Sequence, residues 1–245
     1  MVITANDNSG LGDLPVWDLS DLYPGTESDE LKRDLERIGR EAAEFQDHYA
    51  GRIAALDGAA LGGAIAAYEA VQETLDRIMS YAQLVYAGNV SDPETGRFYQ
   101  TTQERVNQIS SGLVFFELEL LKIDDESLEK KLEQPALATY APWLRDVRVF
   151  RSHKLEEDME RLLHEKRVAG RAAWNRLFDE TMADLRFPFD DGQLTSEQIL
   201  HLLSDPDSDT RRRAATTIGE VLGQNARVFS LITNTLAKDK EIEDH

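Results

Sequence analysis

The strongest constraint on the fold is an apolar stripe that recurs every three or four residues over a long stretch of the chain. This spacing keeps the side chains on one face of an α-helix, which has about 3.6 residues per turn. Gly88 and Asn89 then supply residues that commonly end a helix. The pattern therefore predicts one long amphipathic helix. Its stripe consists of Leu61, Ile65, Tyr68, Val71, Leu75, Ile78, Ala82 and Val85.

A second long helix is expected directly after the first. Ser91 or Asp92 can cap its start, Pro93 suits its first turn, and the acid Glu94 favours a helix N-terminus. Because only a short link separates the two helices, we expect them to form an antiparallel hairpin. The apolar stripe of the second helix is Val106, Ile109, Leu113, Phe116 and Leu120.

Shorter helices are predicted on both sides of this hairpin. Residues 30–49 form an amphipathic pattern, Asp125 can cap a helix over 126–133, and Pro142 should break or kink the weakly helical segment 135–150. Thr195 or Ser196 can cap a helix over 197–203. Further helices are expected over residues 155–168, 171–185, 207–222 and 225–242.

The segment 186–194 differs in kind from the rest. Its apolar residues alternate around the pair Asp191 and Gly192, which is typical of a β-hairpin. The predicted fold class is therefore all-α: a long antiparallel helical hairpin plus shorter helices, with one small β-hairpin near residues 185–194.

The sequence also suggests a division into regions. Residues 1–16 are polar and contain glycine, so we expect a flexible N-terminal arm. Acids, lysines and a proline cluster near residues 122–135, which favours a helical domain over 17–122 and a second helical region over 123–245. The last helix shows no stop signal before His245, so we expect the sequence to be cut from a longer chain.

Composition excludes several classes of function. The chain has no cysteine, which rules out disulfides and thiolate zinc sites and fits a reducing cytoplasm. Its net charge of −19 disfavours nucleic acid as a partner. No apolar run approaches the roughly 20 residues that a membrane span needs, so we expect a soluble protein without a membrane partner.

The nearest approach to a catalytic motif is His164 followed by Glu165. A zinc protease helix has the form H-E-x-x-H, in which two histidines on one helical face bind zinc and the glutamate activates water. Val168 replaces the second histidine here, so we interpret the pair as part of a helix surface. The other histidines are scattered along the chain: His48, His153, His201 and His245. We therefore predict no catalytic or metal-binding residue in this chain.

Other motifs carry less information. Gly58, Gly62 and Gly63 lack the Lys-Ser/Thr of a phosphate-binding loop, and no serine lies in a G-x-S-x-G turn. Paired carboxylates are common in so acidic a chain and are uninformative on their own. The aromatic residues of the helical stripes are interpreted as core. They include Phe115, Phe116, Trp143 and Trp174.

Two clusters of basic residues could have either a functional or a structural role. Arg145, Arg148 and Arg151 could bind a carboxylate such as a peptide terminus through bidentate bonds. The favoured alternative is a solvated face paired with acids of residues 156–158. Residues 211–213, three arginines, are interpreted as surface charge beside the acids that precede them. The sequence does not indicate which residues bind a substrate.

One N-terminal segment is more distinctive than its composition. Residues 17–23 read W-D-L-S-D-L-Y, and Trp17, Leu19 and Leu22 are expected to anchor the N-terminal arm onto the helices. The segment resembles the opening of the oligoendopeptidase F family, which belongs to the thimet-oligopeptidase-like zinc metallopeptidases. Similar stretches follow in the family's order: FQDHYAGR (45–52), YAQLVY (81–86), FFELEL (115–120), WNRLF (174–178), the hairpin 185–192 and LAKDKEIED (236–244).

This resemblance implies a specific role. Such enzymes are mostly helical and cut short peptides inside a channel between two lobes, with zinc bound by H-E-x-x-H and a later glutamate in the C-terminal half. The chain is similar to the N-terminal part only, so no catalytic or metal ligand can be transferred to it.

The chain is thus expected to wall the channel and to be inactive alone. Its expected partners are peptide substrates and the C-terminal catalytic lobe, which would bind the zinc. The alternative is a self-contained, non-enzymatic helical module that binds a peptide or a protein.

Overall fold

The computed structural model describes residues 17–243, and helices account for most of them. The expected arm over residues 1–16 and the terminal His245 lie outside the described residues. The α-helices are α1 (Asp29–Tyr49), α2 (Gly58–Gly88), α3 (Pro93–Ser111), α4 (Val114–Lys122), α5 (Asp125–Leu132), α6 (Pro135–Ala138), α7 (Ala141–Val149), α8 (Glu157–Lys166), α9 (Arg171–Asp184), α10 (Ser196–His201) and α11 (Ser208–Glu243). The strands are β1 (Phe187–Phe189) and β2 (Gly192–Leu194), and short 3₁₀ turns cover Ile53–Ala55, Arg151–His153 and Leu202–Ser204.

The predicted helical hairpin is formed by α2 and α3. Near the end of α2, the ring of Tyr86 stacks on that of Tyr99 near the start of α3, with centroids 4.9 Å apart. The side chain of Asp92 caps α3 by accepting from the Glu94 N–H at 3.0 Å, and Pro93 occupies the first turn. The all-α fold class and the antiparallel hairpin are confirmed.

The second apolar stripe is divided between two helices, so the prediction of one continuous helix was wrong. In α3, the Ser110 hydroxyl donates to the carbonyl of Val106 at 2.9 Å, a local bond that competes with regular helix geometry. Gly112 then ends the helix, and α4 begins two residues later. Stripe residues of both helices still reach one core, since Ile109, Leu113, Phe116 and Leu120 are all buried.

The larger hydrophobic core lies between α1, α2, α3 and α4. The ring of Phe45 from α1 packs against Tyr68 of α2 and against Phe115 and Phe116 of α4, with centroid distances of 5.1 to 6.0 Å. The core continues into α5, α6 and α7 through Leu128, Leu137 and Leu144. The division between residues 122 and 123 therefore stays a prediction, because apolar packing crosses that point.

The N-terminal anchor uses a different residue from the one expected. Trp17 is 88% exposed, so its predicted role as an anchor was wrong, whereas Leu19 and Leu22 pack against the core. Tyr23, the last residue of the W-D-L-S-D-L-Y segment, is buried. Its hydroxyl donates to Asp34 of α1 at 2.9 Å, and Arg77 of α2 pairs with the same carboxylate at 2.5 Å.

Two segments that carry the sequence resemblance meet in this core. Glu119, from residues 115–120, accepts the backbone N–H of Gly51 at 2.6 Å and that of Ile53 at 3.2 Å. Gly51, from residues 45–52, has a φ of +76°, a conformation that favours glycine. One carboxylate therefore holds the tight turn that follows α1.

A smaller core joins the β-hairpin to α10 and α11. The predicted hairpin is confirmed, with Phe187 paired to Leu194, but its turn lies at Asp190 and Asp191 because Gly192 already pairs with Phe189. The expected turn at Asp191 and Gly192 was one residue too late. Arg213 of α11 pairs with the Asp190 carboxylate at 2.5 Å, which fixes the hairpin on that helix. The buried residues of this core are Leu185, Phe187, Ile199, Ala214 and Val221.

The last described element is a single helix of 36 residues, α11, where two helices were predicted. The expected break lay at Gly223 and Gln224, with Asn225 beginning the second helix. The space beside Gly223 is open, and the Asn225 amide donates to the carbonyl of Val221 within the same helix at 2.9 Å. A glycine lowers helix propensity by only about 1 kcal/mol, which continuous packing on the smaller core can offset.

Candidate functional site

His164 lies on α8 and contacts α3 rather than a partner histidine. Its Nε2 is 2.8 Å from the Ser110 hydroxyl, and the Asn107 amide donates to the carbonyl of Glu165 at 3.3 Å. Burial lowers the pKa of His164, and the nearby Arg167 lowers it further. Glu165 is exposed as predicted, whereas His164 is half-buried between the two helices.

The other histidines within residues 17–243 do not converge on a site. His48 lies on α1, His153 ends a 3₁₀ turn, and His201 ends α10. Across residues 17–243, no group of three or more histidine, aspartate or glutamate side chains is placed to hold a metal ion. Within that same part of the chain, no helix is both long enough and apolar enough to cross a bilayer.

The first arginine cluster is largely engaged by the protein itself. The guanidinium of Arg148 donates to the carbonyls of Leu120 at 3.2 Å and Ile123 at 2.9 Å, and it also pairs with Asp125. Its side chain is only 13% exposed. Arg148 thus binds two carbonyls at the end of α4, where helix carbonyls lack the regular i+4 partner.

The exposed members of this cluster pair with other acids than those expected. Arg145 pairs with Asp146 at 3.2 Å, and Arg151 reaches Asp125 at 3.5 Å. The predicted pairing with residues 156–158 was therefore wrong.

The second arginine cluster, residues 211–213, matches its interpretation as surface charge beside acids. Arg212 pairs with Asp209 at 2.9 Å, Arg211 donates to the carbonyl of Asp205 at 2.7 Å, and Arg213 binds Asp190.

Three adjoining cavities form one groove along α2, α3, α4, α7 and α8. Their volumes are about 840, 540 and 480 Å³. Glu117 of α4 lines all three, so it marks the centre of the groove. We call this surface the acidic groove and define it by Tyr68, Glu69, Glu73, Asp76, Glu117, Tyr140 and Trp143.

The helical repeat of α2 places its part of the groove beside the buried stripe. Tyr68, Gln72 and Asp76 follow each other at four-residue spacing and therefore share one face of the helix. Glu69 and Glu73 form the neighbouring row. The four-residue spacing is visible in the sequence, but carboxylates are so common in this chain that it did not stand out. The groove residues of α4 and α7 could not be predicted, because only tertiary packing brings them next to α2.

Aromatic side chains form the floor and one wall of the groove. The ring of Tyr68 packs on Phe116 at 4.6 Å and lies 6.4 Å from Trp143, centroid to centroid. The Tyr68 hydroxyl donates to Glu117 at 3.4 Å, and the Tyr140 hydroxyl donates to Glu69 at 3.1 Å. Burial, followed by the charge of Glu117, raises the pKa of Tyr68, so its hydroxyl remains a donor at neutral pH.

Charge is distributed unevenly along the groove. The largest cavity is lined by the carboxylates of Glu69, Glu73, Asp76 and Glu117 and by no lysine or arginine of the described chain. Cations appear only in the adjoining cavities, where Lys154 and Arg167 contribute. A cleft lined by one sign of charge concentrates ligands of the opposite sign.

The family comparison points to one group of peptidases. Residues 119–187 match the family model described as Oligopeptidase F, an N-terminal peptidase M3 region. No curated protein matches the chain.

Two solved structures share its fold. The crystal structure of oligoendopeptidase-F from Enterococcus faecium matches with a TM-score of 0.79 and 22% identity, over 88% of this chain and 44% of that one. A candidate peptidase from Chlamydophila abortus matches with a TM-score of 0.52 and 16% identity, over 93% of this chain and 39% of that one. The chain thus spans less than half the length of either structure. The family match over residues 119–187 and the shared fold show that this chain is similar to the N-terminal region of oligoendopeptidase F.

Proposed function

We propose that this chain is the N-terminal lobe of a zinc metalloendopeptidase that hydrolyses short peptides, and that it forms one wall of the substrate channel. The observation that carries the proposal is the match to oligoendopeptidase-F over 88% of the chain with a TM-score of 0.79. The family match over residues 119–187 supports it independently of the fold. The lack of cysteine supports a cytoplasmic location for the intact enzyme.

The zinc of such an enzyme does not fit the residues of this chain. His164 has a serine rather than a second histidine within reach, and the described residues hold no cluster of metal ligands. In the proposal, the zinc and the catalytic residues belong to a C-terminal lobe outside these 245 residues. We therefore assign no hydrolytic step to this chain.

What the chain would supply is the shape and lining of the channel. The acidic groove offers aromatic faces, tyrosine hydroxyls and carboxylates along α2 and α4. These groups can contact an extended peptide, whereas a cavity of about 840 Å³ is too small for a folded domain. In this way the lobe would restrict substrates to short, unfolded chains.

The proposal is tested with the purified chain alone. After dialysis, the chain is assayed for bound zinc by mass spectrometry of metals and for hydrolysis of a quenched fluorescent peptide. We expect neither stoichiometric zinc nor hydrolysis. Zinc retained at one ion per chain and lost in His164→Ala would contradict the assignment of the metal to another lobe.

A further inference from the structure

We propose that the acidic groove binds the basic side chains, lysine or arginine, of a peptide. This inference deepens the proposed function, because it gives a charge preference to the channel wall. Charge is unbalanced in the largest cavity of the groove. Four carboxylates line the largest cavity without a lysine or arginine among its lining residues.

Two of these carboxylates have no protein partner. Glu73 and Asp76 lie exposed on α2, and neither forms an ion pair or a hydrogen bond with a residue of the described chain, 17–243. Asp34, on the wall of a cavity lined by arginines, behaves differently: it is bound by Arg37, Arg77 and the Tyr23 hydroxyl. Glu73 and Asp76 therefore keep free acceptor atoms, whereas the carboxylate of Asp34 is already engaged by the protein.

An aromatic surface lies between the acids. Tyr68 and Trp143 line the same cavity, and aromatic faces attract ammonium and guanidinium groups. The hydroxyls of Tyr68 and Tyr140 each donate one hydrogen bond, to Glu117 and Glu69 respectively. These bonds orient the two carboxylates and leave them further lone pairs for a cationic ligand.

The ligand chemistry follows from these features together. A basic side chain combines an apolar stem, which can lie along the aromatic wall, with a cationic head that can reach several carboxylates. The α-ammonium group of a peptide has the charge but lacks the stem. We therefore assign the groove to the side chain rather than to the peptide terminus.

Binding is measured by fluorescence anisotropy with three labelled decapeptides, each acetylated at the N-terminus and amidated at the C-terminus. The peptides are identical except for three positions that hold lysine, glutamine or glutamate. We expect the lysine peptide to bind most tightly, the glutamine peptide more weakly and the glutamate peptide most weakly, with the differences shrinking at high salt.

The groove variant is the double substitution Glu73→Gln with Asp76→Asn. The matched control is Glu44→Gln with Asp47→Asn, an exposed pair on α1 with the same spacing and the same change in charge. We expect the groove variant to weaken binding of the lysine peptide by about fivefold, the size expected for two partly exposed charge contacts. The control should change it less than twofold, and circular dichroism should show both variants folded.

Each other outcome is decisive. If all three peptides bind equally, the charge preference fails and the channel-wall function stands. If none binds, the channel-wall function fails as well. If both double variants weaken binding equally, the attraction comes from overall charge and the groove assignment fails. An unacetylated glutamine peptide that binds as tightly as the lysine peptide would overturn the choice of side chain over terminus.

Discussion

The helices α2 and α8 are both amphipathic, but they lie in different surroundings. α2 buries apolar side chains along its length, from Leu61 to Tyr86, because α1, α3, α5 and α6 surround it. α8 contacts α3 and α4 and contains no fully buried residue, so that Met159 and Leu162 are 52% and 51% exposed.

Helix α9 differs from the helices of the larger core in the same way as α8 does. That helix also lacks a fully buried residue, and Leu177 and Phe178 remain partly in solvent. The comparison indicates that α1 to α7 share the larger core, whereas α8 and α9 contribute no fully buried residue to it. Under the proposed function, the exposed apolar side chains of α8 and α9 are available for contact with the rest of the enzyme.

The largest expected effect compares one leucine from each region. Leu75→Ala should lower the free energy of unfolding by about 3 kcal/mol, because it leaves a cavity in the larger core. Leu162→Ala should lower it by less than about 1 kcal/mol, since that side chain is half in solvent. Urea unfolding followed by circular dichroism measures both. Equal losses would show that α8 supports the fold as much as α2 does.

A second prediction concerns how closely α2 approaches its neighbours. A Cβ at Gly62 would lie 2.6 Å from the backbone carbonyl oxygen of Ala136 in α6, which has little room to move. Gly62→Ala should therefore destabilise the chain by about 2 kcal/mol. Gly63→Ala is the matched control: the space beside it is open, so the substitution should stabilise the helix by about 0.5 kcal/mol. A stabilised Gly62→Ala variant would contradict the close contact between α2 and α6.

The smallest effect concerns the contact that α8 makes with α3. The pKa of His164 is below its usual 6.5 in the folded chain, mainly through burial. As the pH falls below about 6.5, the unfolded chain takes up a proton that the folded chain does not, so stability declines until the folded pKa is reached. His164→Gln should lose less melting temperature between pH 7.5 and 5.5 than the natural chain does. Identical pH dependence in both would show that His164 is not desolvated at this contact.

Local signals predicted much of the fold, and tertiary contacts explain the errors. The apolar stripes of α1 and α2 and the capping residues of α3 lie within a few residues of each other, so they could be predicted from the sequence. Trp17 looked like an anchor by residue type, but only the folded chain shows that Tyr23 takes that place, through Asp34 and Arg77.

The same limit applies to the glycines and to the groove. Gly58 and Gly62 could be excluded as a phosphate loop, yet their packing role is visible only where α5 and α6 approach α2. The acidic groove joins Glu69 to Tyr140 across 71 positions of the chain. No local pattern connects residues so far apart, and four-residue spacing reveals only the α2 side of the groove.

Sequencing the transcript that encodes this chain beyond the codon for His245 would directly test whether the chain is one lobe of a larger peptidase. We predict that the reading frame continues into a C-terminal region with an H-E-x-x-H motif. A stop codon directly after His245 would contradict it, and it would favour a self-contained helical module that binds peptides without cutting them.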